Sequence, residues 1–94
     1  MPGLPVARIV DMCSGHIGAP PRGPVAGSMD VFINNLPALR VNDQYQTHGS
    51  PPHSGTIITG SMSVLINNLP VARAGDFISC GSVIAAGSID TFCG

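Results

Sequence analysis

The sequence predicts an all-β protein, and three observations lead to that prediction. The chain has 94 residues and contains no lysine and no glutamate, two residues that usually cover the solvated faces of helices. Twelve glycines and nine prolines interrupt it too often for long helices. The runs between them are rich in valine, isoleucine, phenylalanine and threonine, which favour strands. We expect one domain over residues 1–94, near the lower size limit for a domain held by its core alone.

One sequence unit occurs three times along the chain. Its head reads Leu-Pro-x-x-Arg-x-x-Asp, and self-similarity at a fixed period indicates a repeat architecture. The copies occupy about residues 4–35, 36–68 and 69–94. The head arginines and aspartates are six of the nine charged side chains. Such regular placement predicts structural ion pairs or aspartate-capped turns, and the pairs are Arg8/Asp11, Arg40/Asp43 and Arg73/Asp76.

The tail of each repeat starts with Gly-Ser and continues as a β-prone run. In the first two repeats the run ends in Asn-Asn, directly before the next Leu-Pro head. Asparagine tolerates left-handed backbone and suits tight turns, so Asn34-Asn35 and Asn67-Asn68 predict short β-hairpins. Proline just after the turn limits the second strand to an edge or a strand start. Gly/Pro loops join head to tail, and three such loops at equivalent positions should converge at one end.

Four potential metal ligands lie in these loops: His16, His48, His53 and Cys80. Counted from the repeat aspartates, the first two follow by five residues and the cysteine by four. If a pseudo-threefold axis relates the repeats, these three side chains meet on it. The remaining histidine, five residues after His48, can supply a fourth ligand within ordinary zinc spacing. Three histidines and one cysteine make a closed tetrahedral shell, which is typical of structural Zn²⁺.

Alternatives to this zinc site stay open at the level of sequence. Iron(II) or copper can use the same ligands, although the His/Cys mixture favours zinc. Any single histidine in such a loop can be a solvent-exposed polar residue, but the matching offsets argue against this for the set. Cys13 and Cys93 align with larger apolar residues of the other repeats, which predicts packing roles. Cys13-x-x-His16 nevertheless remains a fallback ligand pair.

Composition and motifs exclude several classes of function. A formal charge of −1 offers no attraction for nucleic acid. The chain has no apolar run of about 18 residues, and its first residues lack the basic region and long apolar core of a signal peptide, so we expect neither a membrane span nor a signal peptide. Three cysteines, an odd number, fit free or metal-bound thiols in a reducing cytoplasm better than a disulfide framework. No glutamate base, serine triad or phosphate-binding loop is present, so we predict that the protein is not an enzyme.

The repeat heads carry a resemblance to a known family. Together with their downstream aspartates and Gly-Ser-x-x-Val-x-Ile-Asn tails, they resemble the PAAR-repeat proteins over essentially the whole chain. Copy two departs from the signature at Leu39, where the others have alanine, and at Asn42, where copy three has Gly75. Copy one departs at the same glycine position, with Val10. The segments that match are Pro5-Val6-Ala7-Arg8, Pro37-Ala38-Leu39-Arg40 and Pro70-Val71-Ala72-Arg73.

The resemblance implies a small conical, pseudo-threefold β-structure with one zinc ion near its apex. It assigns the ion to the same ligands, His16, His48, His53 and Cys80. It also implies a structural tip that caps and sharpens the trimeric β-helical spike (VgrG-like or a phage spike protein) of a type VI secretion system or phage-like tail. Such a tip helps to pierce the target envelope.

The partners and location follow from the same resemblance. We expect a monomer that binds as one copy per spike trimer and contacts the target membrane transiently. It would be cytoplasmic before firing, then injected with the spike or carried in a virion. The repeats fill the chain, so no effector extension is expected. Two other functions remain as alternatives, a metal-stabilised adaptor that recruits effectors to the spike and a zinc hydrolase with an open three-histidine site.

Overall fold

The fold is all-β, as the sequence predicts. The computed structural model describes residues 3–49 and 52–94, and these two ranges contain strands, bridges and turns but no helix. No described segment is therefore a helix long and apolar enough to cross a membrane. Within these ranges, six two-residue strands pair as three antiparallel ribbons. The strands are β1 (Leu4–Pro5), β2 (Phe32–Ile33), β3 (Leu36–Pro37), β4 (Leu65–Ile66), β5 (Leu69–Pro70) and β6 (Phe92–Cys93).

Two of the ribbons are the hairpins that the Asn-Asn turns predict. In β2–β3, Ile33 pairs with Leu36, and β4–β5 repeats this register. The φ angles are 53° and 66° at the first turn and 54° and 64° at the second. Positive φ at both central residues defines the type I′ turn, whose twist matches that of paired strands.

The third ribbon joins the two ends of the repeat array. Leu4 of β1 pairs with Cys93 of β6, and Pro5 pairs with Phe92. The tail of repeat three thus pairs with the head of repeat one, as the other tails pair with their following heads. Because the two ends of the array pair, each of the six ribbon strands is hydrogen-bonded to a partner along one edge.

A triangle of backbone hydrogen bonds shows the pseudo-threefold relation of the repeats. The amide of Ala7 donates to Ala72 (3.0 Å), that of Leu39 to Ala7 (3.0 Å), and that of Ala72 to Leu39 (2.9 Å). All three residues are fully buried. Each repeat therefore bonds to both others. The loops repeat the pattern, through the bridges Cys13↔Ile84, Pro24↔Tyr45 and Ile57↔Ile78.

The core consists of two stacked clusters that separate the loops from the ribbons. Cys80 of the third loop packs against the larger cluster, whereas Ile33 and Cys93 of the ribbons pack against the smaller one. The ligand-bearing loops and the ribbons therefore lie on opposite sides of the core, in a molecule 37 Å long. The larger cluster comprises Ala7, Cys13, Leu39, Tyr45, Ile57, Ala72, Ile78 and Ile84, and the smaller one Val6, Ala38, Ile66 and Val71.

The packing explains why copy two departs from the PAAR signature. Repeats one and three have valine followed by alanine in the head, whereas repeat two has Ala38 followed by Leu39. The first residue of each pair belongs to the smaller cluster and the second to the larger. Compared with the other two heads, repeat two therefore places a larger side chain, Leu39, in the larger cluster. It places a smaller side chain, Ala38, in the smaller cluster. The small side chains of Ala7 and Ala72 in the larger cluster leave room there for one leucine.

The predicted arginine–aspartate pairs are confirmed in all three heads. In copy two, Asp43 Oδ2 accepts from the backbone N–H of Arg40 (2.8 Å) and from its Nε (3.0 Å). Its Oδ1 accepts from Nη2 at 2.9 Å, and the other two pairs have the same arrangement. Asn42 at φ 84° occupies the left-handed conformation that Gly75 adopts at φ 92°. A type II turn requires this conformation, so asparagine can replace the signature glycine.

Two exposed carboxylates give a pH prediction. Hydrogen bonds from Asn67 and Ser28 lower the pKa of Asp30, and bonds from Asn34 and Ser88 lower that of Asp90, both from an ordinary 3.8. A carboxyl whose pKa is lower in the folded than in the unfolded protein stabilises the fold at pH values above its unfolded-state pKa. This stabilisation is lost as the pH falls through its folded-state pKa. We therefore expect both carboxyls to titrate below 3.8 in ¹³C NMR of the folded protein.

The control for this titration is the same protein unfolded in urea, in which the two carboxyls should return to their ordinary range. Midpoints that are equal in the folded and unfolded protein would contradict the hydrogen-bonded arrangement.

Candidate metal centre

The structure brings together the four side chains that the sequence singles out as metal ligands. One ligand atom from each lies within 4.8 Å of the others. One of the four is buried and three are half-buried. The three imidazoles pack around one point, with ring centroids 4.6 to 5.0 Å apart. The group consists of His16, His48, His53 and Cys80.

His16 lies at the base of a tight turn. Its backbone N–H and C=O form reciprocal hydrogen bonds with Ala19, both 2.9 Å long. Two residues, Ile17 and Gly18, form the tip between them. A carbonyl oxygen can only accept, so the contact of His16 Nδ1 with the Ile17 carbonyl (3.3 Å) places the proton on Nδ1. The lone pair of His16 therefore lies on Nε2.

His48 and His53 are cross-strand neighbours in a second short hairpin. The amide of His48 donates to the carbonyl of His53 at 2.8 Å, and the reverse bond is 2.9 Å. Directly opposed residues present their side chains on one face, so both imidazoles point the same way. His48 Nδ1 donates to the Pro20 carbonyl at 2.7 Å, which leaves its Nε2 as the lone-pair nitrogen. The Nε2 atoms of His16 and His53 are 2.9 Å apart.

Cys80 is held in a five-residue turn of the third repeat. The Ile78 amide donates to the Ser82 carbonyl (2.9 Å) and the Gly81 amide to the Ile78 carbonyl (3.0 Å). Gly81 has φ 101°, a conformation that L side chains rarely adopt. The sulfur lies 3.1 Å from the hydroxyl oxygen of Ser82. It also packs on Gly55, where an added Cβ would come within 3.0 Å of Sγ.

This donor set fits a metal ion. Histidine ligands usually donate their second ring N–H to a carbonyl or carboxylate, and His16 and His48 both do so. The Ser82 hydroxyl is placed to donate to a thiolate at Cys80, which stabilises the form that binds metal. Four protein ligands leave no open position, as in structural zinc sites. The group can hold a metal ion; that these side chains bind one, and that it is zinc, stays a prediction.

The structure does not form the fallback pair with Cys13. That residue is buried in the larger core cluster, and its sulfur accepts a hydrogen bond from the Arg22 amide at 3.3 Å. It is not a member of the four-residue group. Cys93 packs against the smaller cluster on the ribbon side. All three cysteines are free thiols, and the packing role predicted for two of them is consistent with these positions.

Sequence reasoning missed the groups that surround the ligands. Ser82, 1% exposed, is two residues from Cys80, but serines are common in turns and nothing in the spacing marks this one. The carbonyls of Ile17 and Pro20 are backbone atoms, so no residue type can identify them. These carbonyls can be identified as partners of the histidines only from the folded structure, in which the loops lie side by side.

Ser82→Ala tests the hydroxyl contact with the sulfur. We expect zinc affinity to fall by about 10–100-fold, the usual effect of losing such a partner. Competition with a chromophoric chelator measures the affinity. Co²⁺ loading should also show a weakened or shifted sulfur-to-metal charge-transfer band. The matched control is Ser54→Ala, because Ser54 is exposed in a neighbouring loop and its hydroxyl forms no hydrogen bond with the sulfur in the described part of the chain. Equal affinities for the two variants would refute the contact.

The fold and the four-residue group define the class of protein: a pseudo-threefold β-repeat protein with a candidate His₃Cys metal centre. The family model for the PAAR motif matches residues 47–94, just over half of the chain, and the chain belongs to this family. The matched range contains His48, His53 and Cys80. Comparison with curated proteins gave no match.

Membership of the PAAR family has two consequences for function. It supports a role associated with the spike tip of type VI secretion-like systems, and therefore with a spike protein. It also indicates a structural component of the spike, with nothing that points to catalysis.

Proposed function

We propose that this protein caps and sharpens a trimeric β-helical spike, one copy per trimer, and helps the spike to pierce the target envelope. The observation that carries the proposal is a set of exposed apolar side chains on the ribbon side of the core, at equivalent positions of all three repeats. We call this set the base ring. It consists of Met29, Met62 and Ile89, which are 92–100% exposed, and Phe32, Leu65 and Phe92, which are 50–61% exposed.

The base ring is rigid as well as apolar. In each repeat a buried serine hydroxyl accepts hydrogen bonds from backbone amides two and three residues further on. The fully exposed residue lies inside that turn. Repeated exposed apolar groups of this kind mark interaction sites, and their pseudo-threefold order suits a partner with threefold symmetry. The serines are Ser28, Ser61 and Ser88.

The opposite end suits entry into a membrane. The three ligand-bearing loops, residues 14–21, 47–55 and 78–82, contain no arginine, lysine, aspartate or glutamate. Charged side chains are costly in hydrocarbon, whereas Ile17 at a loop tip is fully exposed and apolar. A metal ion bound by residues from all three repeats would keep these loops from separating under load. Zinc is the ion we propose, one per chain.

Mixing the protein with the trimeric spike protein of the same source tests the cap. Size-exclusion chromatography with light scattering should give one tip per three spike chains. A complex with three tips per trimer, or no complex, contradicts the proposal. Capture of a toxin protein without any trimer binding would instead support the adaptor function. We propose a cytoplasmic location before firing, with export on the spike, which immunodetection in culture medium can test.

Variants of the base ring test the face that binds. Met29→Ser/Met62→Ser/Ile89→Ser should abolish the complex, because it removes the three most exposed apolar groups of the base. Ile17→Ser is the matched control: it removes an equally exposed side chain at the loop end and keeps the carbonyl that bonds His16. If Ile17→Ser lost binding and the triple variant kept it, the loop end rather than the base ring would be the face that binds the trimer.

A further inference from the structure

The two aspartates that take no part in the head ion pairs both lie on the ribbon side. The other three aspartates are paired with the head arginines. Asp30 and Asp90 have no ion-pair partner among residues 3–49 and 52–94. Each directly follows a base-ring residue, Met29 (93% exposed) or Ile89 (92% exposed). Because each head pair is neutral, these two carboxylates add negative charge on the same side of the core as the base ring.

Hydrogen bonds hold the Asp30 carboxylate in one orientation. Its Oδ1 accepts from the amide nitrogen of Asn67 at 2.8 Å and lies 3.0 Å from the Ser28 hydroxyl oxygen. Asn67 is itself fixed, because its side-chain oxygen accepts from Arg40 Nη1 at 2.9 Å. Asp30 Oδ2 forms no hydrogen bond in the part of the chain that the structure describes. The protein therefore occupies one oxygen of this carboxylate and leaves the other open.

Asp90 repeats this arrangement in repeat three. Its Oδ1 accepts from the amide nitrogen of Asn34 at 2.9 Å and lies 2.8 Å from the Ser88 hydroxyl oxygen. The Thr91 hydroxyl donates a further bond, 3.2 Å long, to the same oxygen. Within the described residues, Oδ2 again forms none. Repeats one and three thus each present one open carboxylate oxygen, at equivalent positions beside the base ring.

Both carboxylates are ready to accept a hydrogen bond from a cation. Their hydrogen bonds lower the pKa of each from the ordinary 3.8, so both are ionised at neutral pH, and both side chains are exposed. A side chain that is already held in place loses little entropy on binding. An ionised carboxylate oxygen can only accept, and its strongest partners are charged N–H donors. Phosphate groups of nucleic acid or lipid would be repelled.

We propose that the base of this protein binds a surface that carries lysine or arginine side chains together with apolar groups. The base ring contacts the apolar groups, and the Oδ2 atoms of Asp30 and Asp90 accept hydrogen bonds from the cationic side chains. This surface is the blunt end of the spike trimer, an identification that rests on the proposed function. A trimer presents each of its side chains three times around its axis, which suits receptors at equivalent positions of different repeats.

Salt dependence distinguishes these contacts from those of the base ring. Exposed charge pairs are screened by salt, and complementary charges at the edge of an interface act mainly on the association rate. Apolar contacts are not screened in this way. Binding of the trimer should therefore become slower as sodium chloride is added.

Asp30→Asn/Asp90→Asn tests the carboxylates in the complex. Asparagine keeps a side-chain oxygen for the contacts of Oδ1 and removes the charge. Biolayer interferometry on immobilised trimer should show affinity lowered about tenfold in low-salt buffer, as expected when two exposed charge pairs are lost. The difference should largely disappear in about 0.5 M NaCl, where the Debye length is only a few Å.

Ser63→Asn is the matched control, because repeat two has the exposed, neutral Ser63 at the position equivalent to the two aspartates. The control introduces the same residue without changing the charge and should keep the affinity. Undiminished binding of the double variant, or an equal loss in the control, would overturn the charged contacts with the trimer.

A lysine peptide tests the carboxylates without the trimer. In ¹³C NMR of the metal-loaded protein, titration with tetralysine should give saturable shifts of the Asp30 and Asp90 carboxyl signals, compared with sodium chloride at the same ionic strength. Asp11, Asp43 and Asp76 are internal controls, because their carboxylates are already paired with arginines. Equal responses of all five, or no response beyond that to sodium chloride, would refute the two carboxylates as receptors for cationic side chains.

The two experiments separate this inference from the proposed function. If the unmodified protein binds no trimer, the proposed function fails, and the tetralysine titration still decides whether the base receives cationic side chains. If tetralysine shifts Asp30 and Asp90 while the double variant binds the trimer undiminished, the trimer is overturned as the source of those side chains.

Discussion

Cys80→Ser is expected to abolish tight zinc binding and to remove most of the stability of this protein. Structural zinc sites contribute about 10–16 kcal/mol of apparent binding free energy, which is as large as the whole stability of a typical domain. Cys80 is the one member of the four-residue group that comes from repeat three, so its loss should disconnect that repeat from the other two at the loop end. Tm with and without added zinc should differ by far less in the variant than in the original protein.

Metal analysis and a second cysteine variant test this prediction. Elemental analysis should find one zinc per chain in the original protein and far less in Cys80→Ser. Cys93→Ser is the matched control, because that thiol lies on the ribbon side and is expected to leave the zinc content unchanged. Full zinc occupancy in Cys80→Ser would show that the site does not use the sulfur, and would favour the open three-histidine site of a hydrolase.

Leu39→Ala is expected to destabilise the protein by about 2–5 kcal/mol, the usual cost of deleting a buried leucine side chain. Leu39 is fully buried where the three heads meet. Its neighbours Ala7 and Ala72 are joined to it by the backbone triangle, so they cannot move inward to fill the space. Of a total stability of roughly 5–15 kcal/mol, this loss is a large fraction.

Urea unfolding of the metal-loaded protein measures this effect, as a lower midpoint at an unchanged slope. Leu65→Ala is the matched control, because Leu65 is largely exposed on the base ring. Surface changes of this kind usually stay within about 0.5 kcal/mol. Equal urea midpoints for the two variants would show that the buried side chain of Leu39 does not contribute more to stability than the exposed one of Leu65.

The features predicted from the sequence are those encoded by short-range patterns. The Asn-Asn turns predict hairpins because their residues tolerate left-handed backbone, and the structure confirms both. The aspartate three residues after each arginine predicts a local pair, which needs no information from elsewhere in the chain. Offsets from these aspartates also select His16, His48 and Cys80, which the structure places together with His53.

Other features depend on residues far apart in the chain. The pairing of β1 with β6 joins residues about ninety positions apart, and no local signal distinguishes it from a free edge. The same is true of the separation of Cys13 from the ligand group, although it is only three residues from His16. Backbone direction, rather than sequence distance, decides where such a side chain points.

The sequence by itself determined that this protein has three β repeats, which residues make their turns, and which four side chains are candidate metal ligands. Those properties follow from local backbone preferences and from a period that can be counted. Only the tertiary structure decided that the array closes, that Leu39 is buried where the three heads meet, and that Ser82 and two backbone carbonyls contact the candidate ligands. Each of these depends on which atoms the folded chain brings within bonding distance.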